Sequence, residues 1–222
     1  ELFGSLPRGP QPASVTQREP EQKGERRVHL EGDGSTSYID IAYHAPAAQD
    51  PDFSTLRVLN AVLAGANSMS LFSGGGGSNR SSRLYKALVE TELATSVSGE
   101  VTPTMDPFLY IVSATVRSGH AAAEVEAALD AELQRLVDQP VTSEELVKAA
   151  KQVRAQFAYS SESVTNQAYW YGFSEIVADY TWFETFLDRL AAVTAEDVQR
   201  LAQKMLTRRN RTVGTYVPRN ER

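Results

Sequence analysis

Apolar and polar positions begin to alternate at residue 26. RRVHLEG (26–32) and SYIDIAYHA (37–45) carry the two-residue period of β-strands. In the second, Ile39, Ile41 and Tyr43 fall on one side, and Asp40, Ala42 and His44 on the other. His44 stands just past the alternating Ile39–Tyr43 stretch and is expected to be a half-exposed loop residue. Asp50-Pro51, a capping residue followed by proline, opens a helix whose Leu56, Leu59, Val62 and Leu63 share one face. A glycine-rich stretch, FSGGGGSNRSS, leads to a second helix expected over about 81–92. ATSVSGEVT and PFLYIVSATV read as two strands joined by a turn between Pro103 and Pro107, the second apolar on both faces and therefore interior to its sheet.

From residue 120 the period changes to that of helices. Stripes run through Val125, Leu129, Leu133 and Leu136, and through Leu146, Ala150, Val153 and Phe157. Others run through Trp182, Phe183, Phe186, Leu187 and Leu190, and through Val198, Leu201, Ala202 and Met205. Thr142-x-x-Glu145 and Thr194-x-x-Asp197 are capping boxes that mark two helix starts. RTVGTYVPR supplies a closing strand. The order ββααββ, helices, β predicts one α+β domain over 26–222, a mixed or antiparallel sheet with helices packed on one face. Residues 1–25 hold four prolines and three glycines and lack a hydrophobic period, so they read as a linker or arm.

Composition narrows the functions open to such a domain. A net charge of −6 argues against a nucleic-acid or anionic-membrane partner, since both need a basic surface. The basic cluster Arg208, Arg209, Arg211, Arg219 and Arg222 is expected to be a solvated chain end. The chain has no cysteine, which removes disulfides, thiolate catalysis and cysteine-type zinc sites and leaves the compartment open. No apolar run approaches the roughly 18–20 residues of a membrane span. The first residue is glutamate rather than methionine, so a processed protein or a piece of a longer one is expected.

The candidate chemistry is sparse. The glycines Gly74, Gly75, Gly76 and Gly77 precede Ser78-Asn79-Arg80-Ser81, without the lysine of a phosphate-binding P-loop, and follow a helix rather than a strand. A helix–helix connection that uses glycine's backbone freedom is the ordinary reading, and the loop is expected to be mobile. The histidines are His29, His44 and His120, and no His-x-x-Glu-His is present. His120 and Glu124 share an i, i+4 spacing but make only two ligands of a possible metal site. Ser78, Ser81 and Ser82 have no histidine nearby in sequence. The aromatic residues Tyr169, Trp170, Tyr171 and Phe173, with Tyr180, Trp182, Phe183 and Phe186, have helical spacing and are expected in the core or at an interface rather than in a ligand cage. From the residues alone the chain is a soluble α+β domain with no self-contained active site.

Several strings in fixed order nevertheless resemble one family. FGSLPRGP…REPEQKGERRV, SYIDIAYHAP…LRVLNAVLAG, the glycine loop into Ser82-Arg83-Leu84-Tyr85, and the ending VTAEDVQRLAQKML…TVGTYVP are together similar to the C-terminal half of a pitrilysin/insulinase-family subunit. That family of zinc metallopeptidases includes mitochondrial processing peptidase. The resemblance implies that residues 1–25 are the arm from a preceding half, which carries His-x-x-Glu-His and the zinc. It implies no cofactor in this segment, and as partners the N-terminal half of the same chain, a related subunit in a homo- or heterodimer, and a peptide substrate.

In many members the C-terminal half contributes an arginine and a tyrosine that hold the substrate backbone. The matching positions here are Val89 and Thr95, and no arginine or tyrosine occurs between Lys86 and Val101. The resemblance therefore implies a non-catalytic half of a bacterial zinc metalloendopeptidase that helps to enclose peptide and is inactive alone. The alternative is a catalytically inert structural or assembly subunit of the same family. Bacterial periplasm and cytoplasm both remain open.

Overall fold

The computed structural model describes residues 7, 9, 10, 17, 19–67 and 80–219. The two strand-like runs at the start of the pattern form β1 (Arg26–Gly32) and β2 (Tyr38–Ala45). They are followed by α1 (Asp52–Leu63), a π-helical turn at Tyr85–Val89, and the strands β3 (Ala94–Val101) and β4 (Phe108–Val116). The helices α2 (Ala122–Asp138), α3 (Ser143–Ser160), α4 (Val164–Val177), α5 (Thr181–Glu184), α6 (Phe186–Ala191) and α7 (Ala195–Met205) come next, and β5 (Arg211–Pro218) ends the fold. Among the described residues the sheet has five strands in the order β1-β5-β2-β4-β3. β5 is parallel to β1 and antiparallel to β2, so the sheet is mixed. β4 lies between β2 and β3, the interior place that its double apolar pattern predicts.

Alternation fixes the two sheet faces. Ile39, Ile41 and Tyr43 of β2 meet Ala114, Val112 and Tyr110 of β4 in register, and all six are buried. This face is the one covered by α1, α2 and α7. The helical stripes pack onto the same core, with Val125, Leu129, Leu133 and Leu136 of α2 and Val198, Leu201, Ala202 and Met205 of α7 all buried. Both capping boxes close as their sequences predict. The Thr142 and Thr194 hydroxyls accept from the Glu145 and Asp197 amides at 3.2 and 3.1 Å.

Of the aromatic residues near 157–186, Phe157, Trp170, Trp182, Phe183 and Phe186 form core, while Tyr159, Tyr171 and Tyr180 are exposed. Phe157 stacks on Phe186 with ring centroids 5.1 Å apart. Both indole N–H groups donate to backbone carbonyls, Trp170 to Ser160 at 3.0 Å and Trp182 to Ala48 at 2.8 Å. With those donors engaged within the fold, the cluster serves packing.

Three expectations need correction. Helix α1 does not bury a single face: all twelve of its residues are buried, Arg57 and Asn60 included, because α3, α6, α7 and β3 surround it. The second helix is shorter than 81–92. After Arg83 and Leu84 the backbone widens to an i→i−5 bond, Glu90 N to Tyr85 O at 3.0 Å, and Glu92 then turns the chain at φ 65° into β3. The basic C-terminal cluster is not uniformly solvated. Arg211 is 3% exposed and pairs with Glu25 at 2.6 Å and Asp130 at 2.6 Å.

Close approach of α1 to β3 depends on Gly99. A Cβ there would overlap Asn60 Oδ1 of α1 and lie 2.9 Å from Cβ of Ala64, the buried residue just past the end of that helix. Gly99→Ala is therefore expected to cost about 1–3 kcal/mol by overpacking. Urea unfolding followed by tryptophan fluorescence measures it, and a variant as stable as the parent would show that β3 and α1 separate freely.

Candidate functional site

Of the sequence landmarks, Ser82, Arg83, Leu84 and Tyr85 are described, and each has a structural task. Ser82 is buried, and its hydroxyl accepts from the Tyr85 amide at 3.3 Å, capping the π-helical turn. Leu84 is fully buried, and Tyr85 packs partly buried against the core. Arg83 forms a two-pronged ion pair with Glu145 at the start of α3, Nε to Oε1 at 2.8 Å and Nη2 to Oε2 at 2.9 Å. The four glycines Gly74–Gly77, and with them the expected mobility of their loop, lie outside the described residues.

Val89 ends the π-helical turn and packs, partly buried, against the core. Thr95 is exposed near the start of β3, where the pairing with β4 slips between Ala94 and Ser96 and leaves it as an extra residue. Such an irregularity re-aims a side chain locally. Beside it the Ser96 hydroxyl reaches Thr115 Oγ1 at 3.0 Å.

The histidines do not assemble a metal centre. His44 is not in a loop, as its sequence position suggests, but inside β2 opposite Leu109 of β4. His29 lies on β1, 3.7 Å from Glu31. His120 precedes α2, and Glu124 Oε2 contacts both its Nδ1 and the Ala121 amide at 3.2 Å, so that carboxylate caps the helix. Among the described residues no group of three or more His, Asp or Glu side chains could hold a metal ion. No helix among them is long and apolar enough to cross a membrane.

A broad surface without a structural assignment is the second face of the sheet. Among the described residues no helix covers it. Tyr38, Asp40, Ala42 and His44 of β2 lie on this face, in register with Thr115, Ser113, Ile111 and Leu109 of β4 and with Tyr216, Gly214 and Thr212 of β5. Val28 and Leu30 of β1 extend it and are 48% and 58% exposed, while Tyr38 is 46% exposed. The polar positions form small local pairs. Ser113 donates to Asp40 at 2.5 Å, and the Tyr216 hydroxyl donates to the Asp33 carbonyl at 2.6 Å. The result is a broad, mixed wall with apolar patches between short polar side chains.

Sequence reading identified the landmarks but missed the ion pairs that hold them. Arg83–Glu145 and Arg211–Asp130 join residues 62 and 81 positions apart, and such separations leave no local pattern. The only sequence hint was Glu145, placed by its capping box in the first turn of a helix.

Comparison with known proteins places this geometry. Residues 1–153 match the family described as the peptidase M16 inactive domain. The fold is similar to a protease from Helicobacter pylori at TM-score 0.84 and 21% identity, covering 97% of this chain and 50% of that one. It is similar to the inactive peptidase domain from Bordetella parapertussis at TM-score 0.70 and 30% identity, covering 85% of this chain and 96% of that one. A peptidase M16 inactive domain from Pseudomonas fluorescens gives TM-score 0.80 and 19% identity, over 98% of this chain and 48% of that one. This chain thus spans about half the length of two of these relatives and nearly all of the third. No curated protein matches at a significant level.

The Arg83–Glu145 pair makes an acid-sensitive contribution to stability. The Arg83 guanidinium holds the Glu145 carboxyl at about 2, against 4.5 for an ordinary glutamate, despite partial burial. The stabilisation is therefore complete above about pH 4.5 and is lost as pH falls toward 2. Arg83→Met is expected to cost roughly 1 kcal/mol near neutral pH, as a partly exposed two-pronged pair does. Urea unfolding of the two proteins across this window should show the difference narrowing. A difference unchanged at low pH would show that Arg83 acts by packing alone.

Proposed function

Because the chain belongs to the peptidase M16 inactive domain family, we propose that it is the non-catalytic wall of a peptide chamber in a two-half zinc metalloendopeptidase. The single observation that carries this reading is the uncovered sheet face, five strands wide and lined by side chains of mixed polarity. A wall that encloses varied peptides gains from such a surface. It offers apolar contact through Val28, Leu30 and Ile111 and hydrogen bonding through Asp40, Ser113 and Thr115, without one deep specificity pocket.

In this reading the hydrolytic water is activated on zinc in a preceding half that carries His-x-x-Glu-His, where the metal would lower the pKa of bound water. Relatives of about twice this length leave room for such a half. Residues 1–25 are proposed as the arm that joins it to the domain of 26–222. Val89 and Thr95 stand where substrate-gripping arginine and tyrosine are expected, so the grip is assigned to a partner subunit. Thr95 retains a place at the rim, exposed at the irregular start of β3. No observation favours the purely structural subunit over this reading.

The chain alone is expected to bind no stoichiometric zinc and to cleave no peptide. Metal analysis and a fluorogenic peptide assay on the purified 222-residue chain check both points, and the assay should become positive only with a zinc-bearing half added. One tight zinc per isolated chain, or cleavage by it, would place the chemistry in this domain and overturn the proposal.

A further inference from the structure

His44 stands at the end of β2 with its side chain 31% exposed, and its two ring nitrogens face different partners. Nδ1 lies 3.1 Å from Asn210 Oδ1. The orientation of that amide is fixed independently, because Asn210 Nδ2 donates to the His44 carbonyl at 3.2 Å and to the Met205 carbonyl at 2.9 Å. Both of those partners can only accept, so the oxygen of Asn210 is the atom turned toward the ring. A carbonyl oxygen cannot donate, so Nδ1 carries the hydrogen. Neutral imidazole has a single N–H, which leaves a bare lone pair on Nε2.

Nε2 nevertheless lies within ion-pair distance of the Glu19 carboxylate, 3.4 Å from Oε1, without a hydrogen bond between them. A lone pair against a carboxylate repels, whereas an imidazolium N–H attracts it. We propose that protonation of His44 latches the N-terminal arm at Glu19, and that deprotonation releases the arm back to Gln22. The anchors downstream do not change with His44. Gln22 Nε2 donates to the Arg211 carbonyl at 2.7 Å, and Glu25 pairs with Arg211 at 2.6 Å. The arm therefore has a permanently clamped part, Gln22–Glu25, and a proton-dependent extension.

The charged groups around the ring leave Glu19 as its partner. The arm presents Glu19 and Glu21, the segment before α1 presents Asp50, and β1 presents Arg26. α1 presents Asp52, with Lys204 from α7 and Arg209 from the turn beyond it. Asp52 is held by Arg200 at 2.7 Å and Lys204 at 3.0 Å. Among the described residues, Glu19 is the carboxylate within ion-pair distance of the ring. The latch does not depend on what the open sheet face encloses.

The test uses the ¹⁵N-labelled 222-residue chain and the heteronuclear NOE of the Glu19 and Glu21 amides at about pH 5.5 and about pH 7.5. The expected result is a higher NOE at the lower pH in the parent, and loss of that difference in E19Q and in H44Q. Glu19 is 62% exposed, so E19Q leaves the fold intact and decides the matter even if H44Q does not fold. Equal NOE values at both pH values in the parent, or a pH difference that survives in E19Q, would overturn the latch.

Discussion

Burial of helix α1 on every side is the constraint around which the domain is built. A helix surrounded by apolar neighbours needs partners for most of the polar groups it carries, since an unpaired buried donor or charge costs several kcal/mol. Asp52 at its start is met by Arg200 and Lys204 of α7, which pull its carboxyl below the ordinary value. Arg57 donates through its two terminal nitrogens to the Val101 and Asn67 carbonyls at 3.2 and 2.8 Å, while its Nε is left without a partner and burial draws the guanidinium down to about 10. It remains a cation at neutral pH. Asn60 donates to the Gly65 carbonyl at 3.1 Å and accepts from the Tyr110 hydroxyl at 3.2 Å. One helix thus fixes α7, the end of β3, the interior strand β4 and the start of the connection toward residue 80.

That arrangement commits one sheet face to stability and leaves the other free for function. The covered face supplies a continuous core, while the uncovered face carries Tyr38, Asp40, Ala42 and His44 outward from the same strand whose alternate residues are buried. A second ionic cluster fastens the edge. Burial works against the Arg211 charge, and its bonds to Asp130 and Glu25 outweigh that cost, holding its pKa above the usual value. Glu25 also pairs with Arg27, so the residue just before β1 is clamped beside β5. In the proposed reading, this clamp gives the wall of the peptide chamber a fixed point of attachment.

Strand and helix periods carried most of the architecture. The limits of β1 and the capping boxes at Thr142 and Thr194 follow from local patterns that survive packing. What was not legible arises from contacts distant in sequence. Nothing local marks Arg211 as buried rather than solvated, because its partners lie 186 and 81 residues away. The leucine and valine positions of α1 suggest one apolar face, and only the tertiary fold reveals Arg57 and Asn60 as interior. His44 reads as a loop residue because it stands just past the last apolar position of the Ile39–Tyr43 alternation, yet β2 continues through it to Ala45. The positions of Val89 and Thr95 were legible only through resemblance, and no spacing rule would have singled them out.

In the proposed reading, the uncovered sheet face looks onto bound peptide while the helical side looks outward. Since the chain contains no cysteine, one thiol can be placed on each side, at Ser113 on the sheet face and at the exposed Ala155 on α3. The direct measurement is the rate of thiol alkylation in the assembled two-half enzyme, with and without a non-cleavable peptide. Alkylation is expected to slow at Ser113→Cys when peptide is bound and to stay unchanged at Ala155→Cys. Protection at Ala155→Cys alone, or no protection at Ser113→Cys under saturating peptide, would contradict this reading.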